Sequence, residues 1–205
     1  MSKKAGEKTK YQVTVYAPPY FGGQEIGSIF ATEDPSRVIG RVIRTDLYQL
    51  TGDPSKHYLL LYFKIVNVKD SSASTIFYGH EYGREFLRSL VRRGSTKIDG
   101  IFDIKTKDGF HLRLTVMAIS VGRIRRGKCK SIRHIMKEIV TKAGESLTLD
   151  QLSQEMVLGK TASDIFNLAK KITLLRHVGV VKSKVLKIPD WVYSGEKAEE
   201  LKQEA

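Results

Sequence analysis

IFDIKTKDGFHLRLTVMAISV, residues Ile101–Val121, decides the fold. Asp108-Gly109 stands between two apolar arms, and this dipeptide readily adopts the two positive φ values of a type I′ turn, so the stretch predicts a β-hairpin. On the second arm Phe110, Leu112, Leu114 and Val116 share one face while His111, Arg113 and Thr115 share the other, giving one buried and one wet side. Upstream, YLLLYFKIVNV from Tyr58 to Val68 is the longest apolar run. It carries bulky residues on both faces, as a strand buried on two sides does. Tyr11, Val13 and Val15 alternate with polar residues until Pro18 and Pro19 stop the run, and residues 26–32 and 40–46 read as further short strands. Strands at this spacing predict a small barrel or sandwich.

Helical periods interrupt and follow the strands. In HEYGREFLRSLVRRG, residues 80–94, Phe86, Leu87, Leu90 and Val91 cover one side of a predicted helix and Arg84, Arg88 and Arg92 line the other,. Past Val121, Ile132, Ile135, Met136, Ile139, Val140 and Ala143 form a helical stripe that Gly144 is expected to end,. Thr148 with Gln151, and Thr161 with Asp164, read as N-caps of two shorter helices separated by Gly159,. VGVVKSKVLKIP, residues 178–189, returns to strand character. The expected class is α+β: a β-barrel-like N-terminal part with one inserted amphipathic helix, then a smaller helical part ending in a strand. The expected organisation is a flexible basic arm at 1–10, a β-rich domain at 11–127, a helical part with terminal strand at 128–189, and a disordered acidic tail at 190–205 that holds Trp191.

The chain has 205 residues, with 35 Lys plus Arg against 22 Asp plus Glu, so it carries a net charge of +13. That excess calls for an acidic partner. One cysteine, Cys129, forms no intrachain disulfide and cannot supply a thiol tetrad for zinc, which points to a reducing compartment, the cytosol by default,. MSKKAGEKTK lacks the apolar core of a signal peptide, and no stretch approaches the ~20 apolar residues of a spanning helix. Neither secretion nor a membrane partner is expected. Nucleic acid is the better match.

The distribution of charge is more informative than its total. Between Asp108 and Glu138 no acidic residue occurs, yet the 29 residues hold Arg113, Arg123, Arg125, Arg126, Lys128, Lys130, Arg133 and Lys137. Solvated faces mix signs because like charges repel, so an unmixed run points to phosphates as neutralising partners; the plainer reading is a loop that only aids solubility. Within the run, GRIRRGKCKS joins a strand to a helix, and its glycines are expected to let a flexible backbone follow a phosphate track. Arg84, Arg88, Arg92 and Arg93 make a second candidate patch, and Lys3, Lys4, Lys8 and Lys10 charge the N-terminal arm. Tyr16, Tyr20 and Phe21 are candidates to stack on bases, with core packing the rival role for Phe21.

Catalytic and metal readings find no support. His57, His80, His111, His134 and His177 are scattered singly, outside any metal-ligand or paired-carboxylate spacing,. Gly159-Lys160-Thr161 resembles the end of a phosphate-binding loop, but its first glycine would fall at Gln154 after a helix,. Cys129 lies among cations without an identifiable base, so it reads as a bystander. No catalytic residue, metal, cofactor or small-molecule substrate is expected. A free-standing RNA- or DNA-binding protein, or an RNA-processing enzyme, remains an alternative from the residues alone.

The order of weaker motifs carries a resemblance over nearly the whole chain. It runs through Tyr11, Val13, Ala17, Pro18 and Phe21; Ile26-Gly27; Gly40-Arg41-Val42 with Leu47 and Leu50; Phe77 and Gly79; and Asp108-Gly109 with Arg113. It continues through Ile132-Arg133, Met136 and Ile139 to Lys182, Lys184, Leu186, Lys187 and Pro189. In this order the chain resembles the archaeal and eukaryotic small-subunit ribosomal protein family called the eukaryotic-type protein one, or three-a in animals. Its short length looks like an archaeal member. The resemblance implies a non-catalytic ribonucleoprotein component of the cytoplasmic ribosome, active in translation. It implies a place on the small-subunit platform near the messenger RNA exit, bound to ribosomal RNA and neighbouring small-subunit proteins, with messenger RNA as a secondary contact.

Overall fold

The computed structural model describes residues 10–32, 35–69 and 71–194. Eight strands form one sheet: β1 (Lys10–Tyr16), β2 (Glu25–Thr32), β3 (Val42–Asp46), β4 (Leu59–Lys69), β5 (Ser72–Tyr82), β6 (Lys97–Lys105), β7 (His111–Ser120) and β8 (Leu175–Lys187). The helices are α1 (Leu47–Thr51), α2 (Arg84–Leu90), α3 (Arg126–Ser146), α4 (Leu149–Leu158), α5 (Lys160–Ala169) and α6 (Trp191–Ser194). None of the described helices is long and apolar enough to cross a membrane.

The hairpin that decides the fold is β6–β7, paired from Lys97 with Ile119 to Lys105 with His111. Its turn differs from the expected two-residue type. Gly109, at φ 86, donates its N–H to the Thr106 carbonyl at 2.9 Å, and Thr106 N–H donates to the Phe110 carbonyl at 2.9 Å. Gly109 therefore closes a longer turn, and Asp108 turns its carboxylate to accept the Leu149 N–H at 3.0 Å, satisfying a free donor at the start of α4,. Leu112, Leu114 and Val116 are buried while His111 and Arg113 are exposed, as the alternation predicts. In β4 only Leu59, Leu61, Phe63 and Ile65 are buried. Leu60, Tyr62 and Lys64 are half-buried, so one of its faces is core and the other lines an open surface.

The sheet is open, and the barrel expectation is corrected here. Its order is β2-β1-β5-β8-β7-β6, with β3 joined through β4 to β5. β5 forks the sheet: β4 runs along one edge, while β1 pairs parallel at Ser72–Ser74 and β8 antiparallel at Gly79–Glu81. A barrel closes only when its end strands bond to each other, and among the described residues β6 pairs only with β7. Helix α3 lies against β6 instead, with Arg133 Nε donating to the Asp99 carbonyl at 2.9 Å.

β8, the last of the described strands, inserts between β5 and β7 and joins the helical part to the sheet. Leu61, Phe77 and Leu114 from the sheet share one core with Ile132 of α3, Leu152 of α4 and Ile165 of α5. A smaller cluster of Val13, Val15, Ala31, Val38, Ile65 and Ala73 holds the β1–β2 end. Gly144 does not end α3. It is buried within the helix, and a Cβ there would meet Ile104 at 3.2 Å, so glycine permits the close approach of α3 to β6. Thr148 and Gln151 form the expected capping box. Thr161 does not cap α5: Gly159, at φ 90, holds the N-cap position, and Thr161 is buried one residue inside the helix start. The acidic tail was expected to be disordered from Asp190, yet residues 191–194 make α6, and Trp191 meets Phe110 edge-on at 5.8 Å. Residues 195–205 lie outside the described residues, as does the basic arm at 1–9.

Candidate nucleic-acid interface

The loop between β7 and α3 is pinned rather than flexible. Thr96 N–H donates to Ser120 Oγ at 3.0 Å, Ile124 N–H donates to Thr96 Oγ1 at 3.0 Å, and Val121 N–H donates to the Leu174 carbonyl at 3.2 Å. Ile124 is half-buried and packs on the core, while Arg123 and Arg125 on either side of it are exposed. Sequence expected a pliable glycine track here. Instead Gly127 is helical, and α3 already begins at Arg126.

Helix α3 then presents its cations in a fixed array. Cys129, Ile132, Met136 and Val140 bury one stripe. Arg126, Lys130, Arg133 and Lys137 recur at i, i+4, i+7 and i+11 and are exposed, so they share a face. Lys130, Arg133 and Lys137 rim a groove of about 590 Å³ whose apolar lining comes from Phe102, Ile135 and Ile172. Arg123, Arg125, Arg126, Lys128, Lys130 and Lys137 make no ion pair among the described residues. Glu138, the acid nearest in sequence, lies 3.4 Å from His134.

The start of this helix is electrostatically unusual. Arg125 occupies the N-cap with no side-chain hydrogen bond, and no acidic residue stands in the first turn. Helix N-termini carry free N–H donors and a partial positive charge, so acids stabilise them and cations do the reverse. Arg125, Arg126 and Lys128 add three positive charges where the backbone is already electropositive.

Other candidates fare differently. Arg113 is not an unmatched cation: its Nε and Nη2 donate to the two Asp103 carboxylate oxygens at 2.7 and 2.8 Å across the hairpin, and the guanidinium holds the Asp103 carboxyl below the usual range. Arg84 and Arg88 are exposed on α2, but this helix ends at Leu90, so Arg92 and Arg93 sit in the following turn and not on its face. Val91 is likewise exposed beyond the helix. Lys10 begins β1, and Lys3, Lys4 and Lys8 lie outside the described residues.

Two of the three aromatic candidates are structural. Tyr20 accepts the Phe77 N–H at its hydroxyl at 3.1 Å, and burial, with Asp150 beside it, pushes that hydroxyl far above the usual range. Phe21 stacks on Phe77 at 5.9 Å and meets Phe63 edge-on at 5.7 Å. Tyr16 is exposed. The histidines are dispersed: His80 is fully buried between β5 and β8, His177 packs on Tyr82 and Phe86, and His57 lies 3.5 Å from Asp46. Among the described residues no group of three or more His, Cys, Asp or Glu could hold a metal ion. The Cys129 side chain is buried in the core. Lys160, of the apparent phosphate-loop remnant, pairs with Glu155.

One cationic group escaped the sequence reading. Cross-strand register places Arg44, Tyr62, Gly79, Lys184, Arg113 and Asp103 in one row over six strands. Alternate Lys182 and Lys184 on β8 were the available signal, but only the register reveals what lies beside them.

The family model for the Ribosomal S3Ae family matches residues 2–189. Relatives named "small ribosomal subunit protein eS1" from Staphylothermus marinus and Desulfurococcus amylolyticus are each 47% identical over 182 residues, covering 89% of this chain and 85% of theirs. One of the same name from Saccharolobus islandicus is 40% identical over 195 residues, covering 93% of both chains. With a match this long and relatives this similar along their length, the chain belongs to the Ribosomal S3Ae family, a family of non-enzymatic ribosomal proteins.

Proposed function

We propose that the chain is a structural constituent of the small ribosomal subunit in the cytoplasm and that the start of α3 grips ribosomal RNA phosphates. The observation that carries this reading is the array of Arg123, Arg125, Arg126, Lys128 and Lys130, without an ion pair among the described residues, around a helix N-terminus that has no side-chain cap. Alone, such an array is self-repelling. A phosphate reverses the sign of every one of these interactions, because guanidinium forks, ammonium groups and backbone N–H donors all favour an anion. Arg133 and Lys137 continue the track, and Arg84, Arg88, Arg92 and Arg93 offer a second contact. The folded core sets the spacing of these charges, so they hold RNA in one arrangement rather than merely attract it.

The family resemblance supports a position on the platform near the messenger RNA exit and the 3′ end of the small-subunit RNA, with neighbouring ribosomal proteins around it. Gradient sedimentation tests the assignment. The chain is expected to migrate with small subunits through a high-salt wash; quantitative release into the soluble fraction would contradict the reading and favour a free-standing nucleic-acid-binding protein.

A further inference from the structure

The sheet's open face carries a second groove, apart from the one beside α3. A groove of about 460 Å³ is lined by Tyr62, Tyr78, Glu81, Arg84, Lys182 and Lys184 among others, within the ~300–1,000 Å³ range of small-ligand sites. Four strands, β3, β4, β5 and β8, and the start of α2 build it. Tyr78 is the extra residue at a bulge, since Tyr62 pairs with Gly79 and Phe63 with Phe77. Bulges re-aim side chains in this way. Gly79 lets β8 approach: a Cβ there would stand 2.3 Å from the Ser183 carbonyl oxygen.

The chemistry of the groove is aromatic and cationic. Glu81 is its acid, and it is already engaged: the Tyr62 hydroxyl donates to Oε1 at 2.5 Å, and Lys182 Nζ lies 3.1 Å from Oε2. Although burial opposes it, these two partners hold the Glu81 carboxyl below the usual range. With that charge matched by Lys182, Arg84 and Lys184 remain without an ion pair among the described residues. Arg113 lies across the strands from Lys184.

We infer that this groove binds an unpaired nucleotide of single-stranded RNA, its base against the Tyr62 and Tyr78 rings and its phosphates at Arg84 and Lys184. The inference rests on the RNA-binding reading above and adds what kind of RNA this face takes. Aromatic rings beside basic groups bind single strands because unstacked bases expose a π-face that a duplex keeps covered. The α3 array, by contrast, sets its cations beside a single half-buried ring, Phe102, rather than a pair of tyrosines, and takes phosphates of either form.

Fluorescence anisotropy with the full chain separates the two. The probes are a short labelled single-stranded RNA and the duplex of the same sequence. Tyr78→Ala is expected to weaken single-strand binding about tenfold and leave the duplex unchanged, while Tyr78→Phe, which keeps the ring, retains the affinity of the parent. Lys184→Gln is expected to reduce the single-strand salt slope by about 0.7. Joint Arg123, Arg125 and Arg126→Ala weakens both RNAs. If Tyr78→Ala changes neither RNA, or both equally, while the triple variant loses both, the nucleotide site is wrong and the RNA-binding reading stands. If the parent chain binds neither RNA, both are wrong. Displacement of the single strand by an acidic peptide with equal dependence on Tyr78 would make the groove a protein-docking site and overturn the inference.

Discussion

His80 and Ser183 hold each other twice across the β5–β8 pair. The His80 N–H donates to Ser183 Oγ at 3.0 Å, and the Ser183 hydroxyl donates to His80 Nδ1 at 2.7 Å. His80 Nε2 in turn donates to the Val180 carbonyl at 2.9 Å, so the ring is a neutral, internally satisfied tautomer. It locks the last of the described strands into the middle of the sheet.

That arrangement sets a pH response. Burial pushes the His80 imidazole down to about 4, against the smaller opposing effects of Val180 and Glu81. Below about 6.5 the unfolded chain takes up a proton that the folded chain refuses, so stability is full above that pH and falls as pH drops towards 4. The loss approaches roughly 3 kcal/mol at the low end. Asp150 acts in the opposite sense, because burial chiefly raises its carboxyl to about 6 and folding there favours the protonated acid. Urea unfolding of the parent and His80→Gln at matched pH isolates the histidine, since the Asp150 contribution cancels in the difference. The parent's advantage is expected to shrink between pH 6.5 and 4; a constant gap would contradict the buried neutral ring.

Gly79→Ala is expected to destabilise by about 3 kcal/mol, because the new Cβ would meet the Ser183 carbonyl backbone at 2.3 Å and cannot be accommodated by rotating a side chain,. Gly127→Ala is the control, since nothing lies within 4 Å of its Cβ position. In a helix it should be neutral or stabilising by up to about 1 kcal/mol. Thermal unfolding of both variants checks the contrast.

Salt dependence reports how many phosphates the α3 array neutralises. Removing Arg123, Arg125 and Arg126 together is expected to lower the slope of log affinity against log salt by about 2 to 3 for RNA, with the circular dichroism spectrum unchanged. An unchanged slope would mean that these guanidinium groups do not meet phosphates.

Cys129 lies among cations in sequence but faces the core in the fold. Burial of the thiol denies reagents access. Thiol titration under native conditions is therefore expected to be slow and to become rapid in denaturant; immediate native labelling would contradict the burial of this stripe of α3.

Local periodicity made several elements legible before the structure. The β6–β7 arms, the core stripe of α3 and the Thr148–Gln151 box depend on neighbours within a few residues, and all three were readable. Closure of the sheet was not. It depends on where β8 inserts, a pairing of Gly79 with Lys184 over a hundred residues of chain, and no local pattern encodes that choice. Gly144 shows a related limit: glycine reads as a helix stop, whereas here it allows close packing on Ile104. For the proposed interface, the charge run reads directly from the sequence and falls at the start of α3, but counting acids along the sequence could not reveal that Asp103 pairs with Arg113 across the hairpin. The tyrosine and lysine groove stayed hidden for the same reason, since its residues meet only through strand register.

A high-resolution map of the small subunit containing this chain tests the central claim most directly. Arg123, Arg125 and Arg126 are expected to lie within hydrogen-bond distance of ribosomal RNA phosphate oxygens, with the free N–H groups at the start of α3 turned toward the same backbone. If those side chains instead face open solvent, or are capped by carboxylates of a neighbouring protein, the proposal that RNA neutralises this array is contradicted.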